Sequence, residues 1–311
     1  MSGAFAELVQ VLEDLTIMRF VSAAGLVILL YDHVLSFPQE VRYIWSAQHT
    51  SGKWAFLILR YGVPPMMIGH TIQLSGLSEV TLSDKVGPFC KGWYTAGIIL
   101  GWVTIAINNS LVLLRLWVLW DRHRIFIVCT FLVFFATEMA TLILACIGFV
   151  YILPGLTFEP ILHICVFTTP STLRVVWIPA VIFQSMTLTA MGWKVLRHPQ
   201  TFKPLRRDGF LYYWLLWVLD VTNCIVFLVA RTSLTFVTTF FLWCFTTTTT
   251  CRLILGIRRS SERARSEAEG GTNPSDTYEE DDYADSVIHG WQPSPIELGI
   301  HAESSSTVRG R

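Results

Sequence analysis

Seven apolar stretches run almost back to back from Leu15 to Ile257, and each matches the roughly 20 residues that a helix needs to cross a bilayer. Few folds other than a membrane bundle accommodate that pattern. Composition agrees: 52% of residues are hydrophobic and 15% are charged, where ordinary soluble domains carry about 25% charged residues. The spans are predicted at Leu15 to Leu35, Trp54 to Leu74, Trp93 to Trp120, Ile125 to Leu153, Val175 to Leu196, Phe210 to Ala230 and Leu234 to Ile257. The fold expected is therefore an all-α, seven-transmembrane helix bundle over residues 1–257, followed by a disordered acidic tail over 258–311.

Charge fixes the expected orientation. The net charge of zero hides an uneven split, because the segment after Ile257 holds six basic and eleven acidic residues and leaves the bundle with a matching basic excess. With the amino terminus outside, the inner loops and proximal tail collect thirteen Lys or Arg, among them Arg122, Arg124, Lys194, Arg206, Arg207, Arg258 and Arg259, while the outer segments hold five. Basic residues favour the cytoplasmic side, so the tail is expected inside the cell. The start, Met1 to Asp14, is acidic and lacks the basic segment of a cleavable signal, so the first span is expected to serve as its own insertion signal. The tail is rich in Ser, Glu, Asp and Gly, too poor in apolar surface to offset ordering entropy, and Ser275 and Thr277 beside acids are candidate phosphorylation sites. No internal repeat is visible, unlike transporters assembled from duplicated halves.

Five of the seven cysteines fall inside spans as small apolar residues, whereas Cys90 and Cys165 fall in segments that this topology puts on the oxidising outer face. A disulfide between them would tie the loop after the fourth span over the mouth of the bundle. The alternative is two free thiols, because connectivity does not follow from sequence.

Ionisable groups inside hydrocarbon are costly and therefore point to function. Near the inner third lie Asp32, His33, Arg60, Arg115 and Arg252, and Asp32 with Arg60 is the simplest neutralising pair, since consecutive helices are usually neighbours. Near the midplane lie Asn108, Asn109, Glu138, Gln184, Asp220 and Asn223. Glu138, Asp220, Asn223 and Asn108 are the candidate ligand-pocket residues; the competing reading is that these groups hydrogen-bond helices to one another. Pro64, Pro65 and Pro179 are expected to kink their helices. The threonine run Thr246 to Thr250 can satisfy its hydroxyls on preceding carbonyls.

The stretch Tyr31, Asp32, His33, Val34, Leu35, with Phe37, Pro38, Glu40, Val41 and Trp45, then Lys53 to Tyr61 and Leu114 to Trp120, resembles a group of uncharacterised seven-helix fungal membrane proteins whose amino-terminal part is a domain of unknown function. That resemblance implies the seven-span layout and no biochemical role. A second resemblance is to rhodopsin-like G-protein-coupled receptors: seven spans, an outward amino terminus, the Cys90 and Cys165 pair and the triplet Asp121, Arg122, His123, similar to their Asp-Arg-Tyr motif. It implies that Arg122 and the basic loop Lys194 to Arg207 meet a cytoplasmic signalling partner. The chain departs from that family in lacking a Trp-Pro pair in the sixth span and an Asn-Pro in the seventh. The competing reading of Arg122, which the positive-inside pattern favours, is a basic helix end at the membrane interface.

A retinal pigment is excluded, since Leu234 to Ile257 contains no lysine for a Schiff base. Hydrolase signatures are absent, and His33, His70 and His163 lack metal-ligand spacing, so no catalytic site, metal or other cofactor is expected. Membrane lipids are the expected partners, with anionic headgroups at Lys194 to Arg207 and no nucleic acid. The expectation is a receptor-like or sensory membrane protein, with a transporter, channel or structural membrane protein as the competing reading.

Overall fold

The computed structural model describes residues 2–46, 50–75, 86–120, 123–159, 164–166, 171–197, 203–231 and 233–268. Helix α1, Ser2–Glu40, passes into a π-helical stretch, Val41–Trp45. A second rod is built from α2, Ser51–Leu57, a π-helical stretch, Ile58–Gly62, and α3, Val63–Ser75. Then follow α4, Val86–Leu119, α5, Arg124–Ile152, α6, Ile178–Arg197, α7, Lys203–Val229, and α8, Val237–Ala268.

The burial pattern of these helices is inverted relative to a soluble protein. On α1, Phe20, Val27 and Val34, spaced by seven, are 73%, 65% and 74% exposed, whereas Ser22, Asp32, Ser36 and Glu40 are buried. On α5 the buried residues are Thr130, Glu138, Thr141, Gly148 and Ile152, while Ile125, Leu132, Ile143 and Val150 face outward. Apolar side chains turn outward at this density only when the surroundings are lipid, where the backbone must satisfy its own hydrogen bonds as helix. Among the described residues, five helices are long and apolar enough to cross a membrane: Val9–Trp45, Cys90–Trp117, Arg124–Gly155, Leu173–Lys194 and Val237–Arg259. Tyr213–Val229 is apolar but shorter, and the rod from α2 to α3 is interrupted by its π-helical stretch.

Helix α8 occupies the middle of the bundle: it runs along α1, its most extensive neighbour, and also touches α3, α4 and α7. Helix α6 packs against α4, α5 and α7. Between α5 and α6 a short hairpin pairs β1, Thr157–Glu159, antiparallel with β2, Ile164–Val166, in the register Phe158 opposite Cys165. A disulfide joins Cys165 to Cys90 at the start of α4, with Cα atoms 6.1 Å apart, and the pair packs with Ile152 and Leu156.

Two local expectations need correction. Pro179 does not kink a helix; it is the second residue of α6, where the missing N–H has no intrahelical partner to lose. Pro64 and Pro65 sit in the first turn of α3, directly after the π-helical stretch that interrupts the α-helical bonding of the second rod. Residues 258–268, expected as disordered tail, continue α8. Their Arg, Glu and Ala residues are good helix formers. The acidic remainder, 269–311, lies outside the described residues.

Candidate functional site

Two polar regions lie at opposite ends of the bundle. At the end where α1 gives way to its π-helical stretch, four charges come together. Asp32, Ser36 and Glu40, four apart, share one face of α1. From the second rod, Arg60 donates Nε to Glu40 Oε2 at 2.9 Å, Nη1 to Asp32 Oδ2 at 3.5 Å and Nη2 to the His33 carbonyl at 2.6 Å. Arg252 of α8 donates Nε to Asp32 Oδ1. The Tyr61 hydroxyl and the Trp45 indole N–H both donate to Glu40 Oε1, the latter at 3.1 Å.

Side chains of Asp32, Glu40 and Arg60 are at most 3% exposed, and Arg252 is 39% exposed. The three deeply buried groups sum to one negative charge, and Arg252 brings the cluster to neutrality. Such a cluster is stable only when complete, because removing one partner of a buried pair leaves an uncompensated charge at a cost of about 3–5 kcal/mol. The widened turns are part of its geometry: residues five apart, such as Glu40 and Trp45, point in divergent directions on an α-helix but converge when the turn lengthens toward π geometry. The expected pair Asp32 and Arg60 is present, yet it is the longer of the two contacts Arg60 makes with carboxylates. Glu40 was not anticipated as a partner, although its i, i+8 spacing from Asp32 was a readable signal.

At the other end, beneath the disulfide and hairpin, lies a partly enclosed cavity of about 220 Å³. Its wall is overwhelmingly apolar and aromatic, including Trp102, Trp177, Trp243, Phe227 and Phe240, with His70 stacked on Phe240 at 3.4 Å between ring centroids. Close approach of the second rod to α4 shapes one side: a Cβ on Gly69 would lie 2.2 Å from the Trp93 ring, and one on Gly97 would lie 2.7 Å from Met66 Cε. The polar groups gather at the deep end, where Asn108, Gln184 and Asp220 meet; Asn108 and Gln184 also border a smaller void further in.

Of the four expected pocket residues, Asn108 and Asp220 line this cavity. Glu138 and Asn223 do not belong to its wall. Glu138 accepts a 2.7 Å bond from Asn109 Nδ2, joining α5 to α4, and Asn223 Oδ1 accepts from Thr238 at 2.6 Å and Thr239 at 3.1 Å, joining α7 to α8. Three residues of offset on α7 separate the two roles, since Asp220 turns to Gln184 on α6 while Asn223 turns to α8. Asn108 also accepts from Thr250 of α8 at 2.9 Å. Elsewhere in the threonine run, Thr249 bonds the Phe245 carbonyl at 2.6 Å. Arg122, the expected coupling residue, lies outside the described residues. Among the described residues, no group of His, Cys, Asp or Glu is arranged to hold a metal ion.

The inverted burial and the membrane-length helices define a helical, multi-pass membrane protein. Residues 20–65 match the model of a family of unknown function, DUF6533. The matched stretch contains Asp32, Glu40, Arg60 and Tyr61, so three of the four charges of the cluster fall within it. No curated protein and no solved structure matches the chain.

Proposed function

We propose that this protein is a receptor-like, sensory membrane protein in which a small molecule occupying the cavity biases the position of α8. In this reading all seven helical rods cross the bilayer, the amino terminus and the disulfide-bonded hairpin face outward, and the end of α8 and the basic segment from Lys194 to Arg207 face the cytoplasm. The chain performs no catalysis. The observation that carries the reading is that one helix serves both polar regions. Trp243 forms part of the cavity wall and donates to Thr104 at 3.2 Å, and nine residues later, about 13 Å along the same helix, Arg252 completes the charge cluster. A shift of α8 at the cavity is thereby felt where its charge is held.

Transport is less well supported. A transport path would have to continue from the cavity to the charged end, and that region is filled by Ile44, Phe56, Leu59, Ile254 and Leu255 on one side and by Val112, Leu116 and Leu216 on the other.

Hydrogen exchange on the protein in lipid nanodiscs, with and without 2-phenylethanol as a neutral cavity probe, tests the reading. Exchange is expected to change over residues 252–268 in the native protein and not in Gly101→Leu. The added side chain of that variant would fill the space near Trp243, which lies 3.9 Å from a Cβ at this position. An unchanged α8 in the native protein at saturating probe would end the sensing proposal, and flux of a membrane-impermeant ion into proteoliposomes above that of protein-free liposomes would replace it with transport.

A further inference from the structure

Asp220 sits at the deep end of the cavity, 8% exposed, with the Gln184 side chain as its hydrogen-bond partner. A carboxylate accepts about four such bonds, so most of its capacity is open. The described lining residues include no lysine or arginine. Arg115 on α4 is turned over the Tyr213 ring at 5.9 Å, seven residues before Asp220 on α7. A charge in this position, screened from water and without a counter-charge, is strongly penalised. Asp32, buried at the other end of the same bundle, is met by two guanidinium groups.

The remaining wall supplies what a cation would need. Trp102, Trp177, Trp243 and Phe227 line the same cavity as the carboxylate. Ring faces attract organic cations, most strongly where water is excluded. An anionic ligand would meet a carboxylate in low dielectric and be repelled.

Taking the cavity as a ligand site, which is the reading proposed above, we infer that its ligand is a compact organic cation. A protonated amine pairs with Asp220, and its apolar body packs among the indole and phenyl rings. The volume of about 220 Å³ is below the roughly 300–1,000 Å³ of drug-sized sites, which limits the body to about a single ring with a short chain.

Three probes of one shape test this: phenethylamine, 2-phenylethanol and 3-phenylpropionate, titrated calorimetrically into the full chain in nanodiscs, with empty nanodiscs subtracted. The amine is expected to bind about ten- to a hundredfold more tightly than the alcohol, the range set by one charge-assisted pair, and the carboxylate is expected not to bind. In Asp220→Asn the preference for the amine disappears. Equal affinity for amine and alcohol in the native protein, or binding of the carboxylate, would overturn the ligand class while leaving the sensing proposal intact. Amine binding that leaves exchange in α8 unchanged would do the reverse. The ranking of the three probes uses the native protein alone, so the inference can fail even if the variant does not fold.

Discussion

Asp32 and Asp220 are both aspartates buried within a membrane bundle, and the protein treats them in opposite ways. Asp32 is met by its own counter-charges, Arg60 from the second rod and Arg252 from α8, beside a packed cluster of Ile44, Phe56, Leu59, Ile254 and Leu255. Asp220 has one amide partner and borders the cavity. A closed charge cluster joins helices; an open carboxylate beside empty, aromatic-walled space is poised to receive something. The same residue type at similar burial therefore serves architecture at one end and, in the reading proposed above, recognition at the other.

The largest effect expected from this contrast comes from breaking the closed cluster. Arg60→Ala leaves Asp32 and Glu40 with a single partly exposed arginine between them and should destabilise the protein by about 3–5 kcal/mol, visible as loss of monodisperse material in detergent. The combination Arg60→Met with Glu40→Gln leaves Asp32 paired with Arg252 and should recover most of that loss. If the combination is as damaged as Arg60→Ala, charge balance is not what the cluster supplies.

An intermediate effect is expected where the cavity wall depends on shape. Gly69→Val places new atoms against the Trp93 ring and should cost about 1–3 kcal/mol by overpacking. Thermal unfolding should register the loss and tryptophan fluorescence the displaced ring; an unaltered spectrum with full stability would mean that the close approach of the second rod and α4 is not required.

The smallest effect is expected at Glu138, which separates helix clamping from ligand recognition. Glu138→Gln keeps the oxygen that accepts from Asn109 and removes a buried charge. Interhelical hydrogen bonds in membranes are worth about 0.6 kcal/mol on average, so stability should change by less than about 1 kcal/mol in either direction. Phenethylamine affinity should stay within about twofold, since Glu138 is not part of the cavity wall. A large loss of affinity would place Glu138 in the recognition site and blur the distinction drawn between the two aspartates' environments.

Sequence patterning made much of this visible, and its failures are instructive. The helices follow from apolar length, and α1, α5 and α7 begin or end within a few residues of physical signals such as Trp, Arg and Pro. The extension of α8 to Ala268 was hidden by charge: a segment such as Arg258 to Ala268 is too polar to read as a span, yet its propensities favour helix once a stable helix precedes it. Asp220 and Asn223 illustrate the limit of helical periodicity. Three residues apart, they share a broad face, and only the positions of α6 and α8 on either side of α7 send one to the cavity and the other to Thr238 and Thr239. The polar end of the cavity was signalled by Asn108 and Asp220, but its aromatic wall was not, because those side chains come from separate helices and resemble ordinary lipid-facing or packing residues one at a time.

The sequence by itself determined the solvent and the cost of each buried charge: long apolar runs require lipid, and every Asp, Glu or Arg within them must find a partner. Which partner it finds was decided by tertiary structure alone. Periodicity specifies the face a side chain occupies on its own helix. The height and rotation of neighbouring helices, set by packing along α8 and by the close approaches at Gly69 and Gly97, decide whether that face meets a counter-charge, an amide or an empty space.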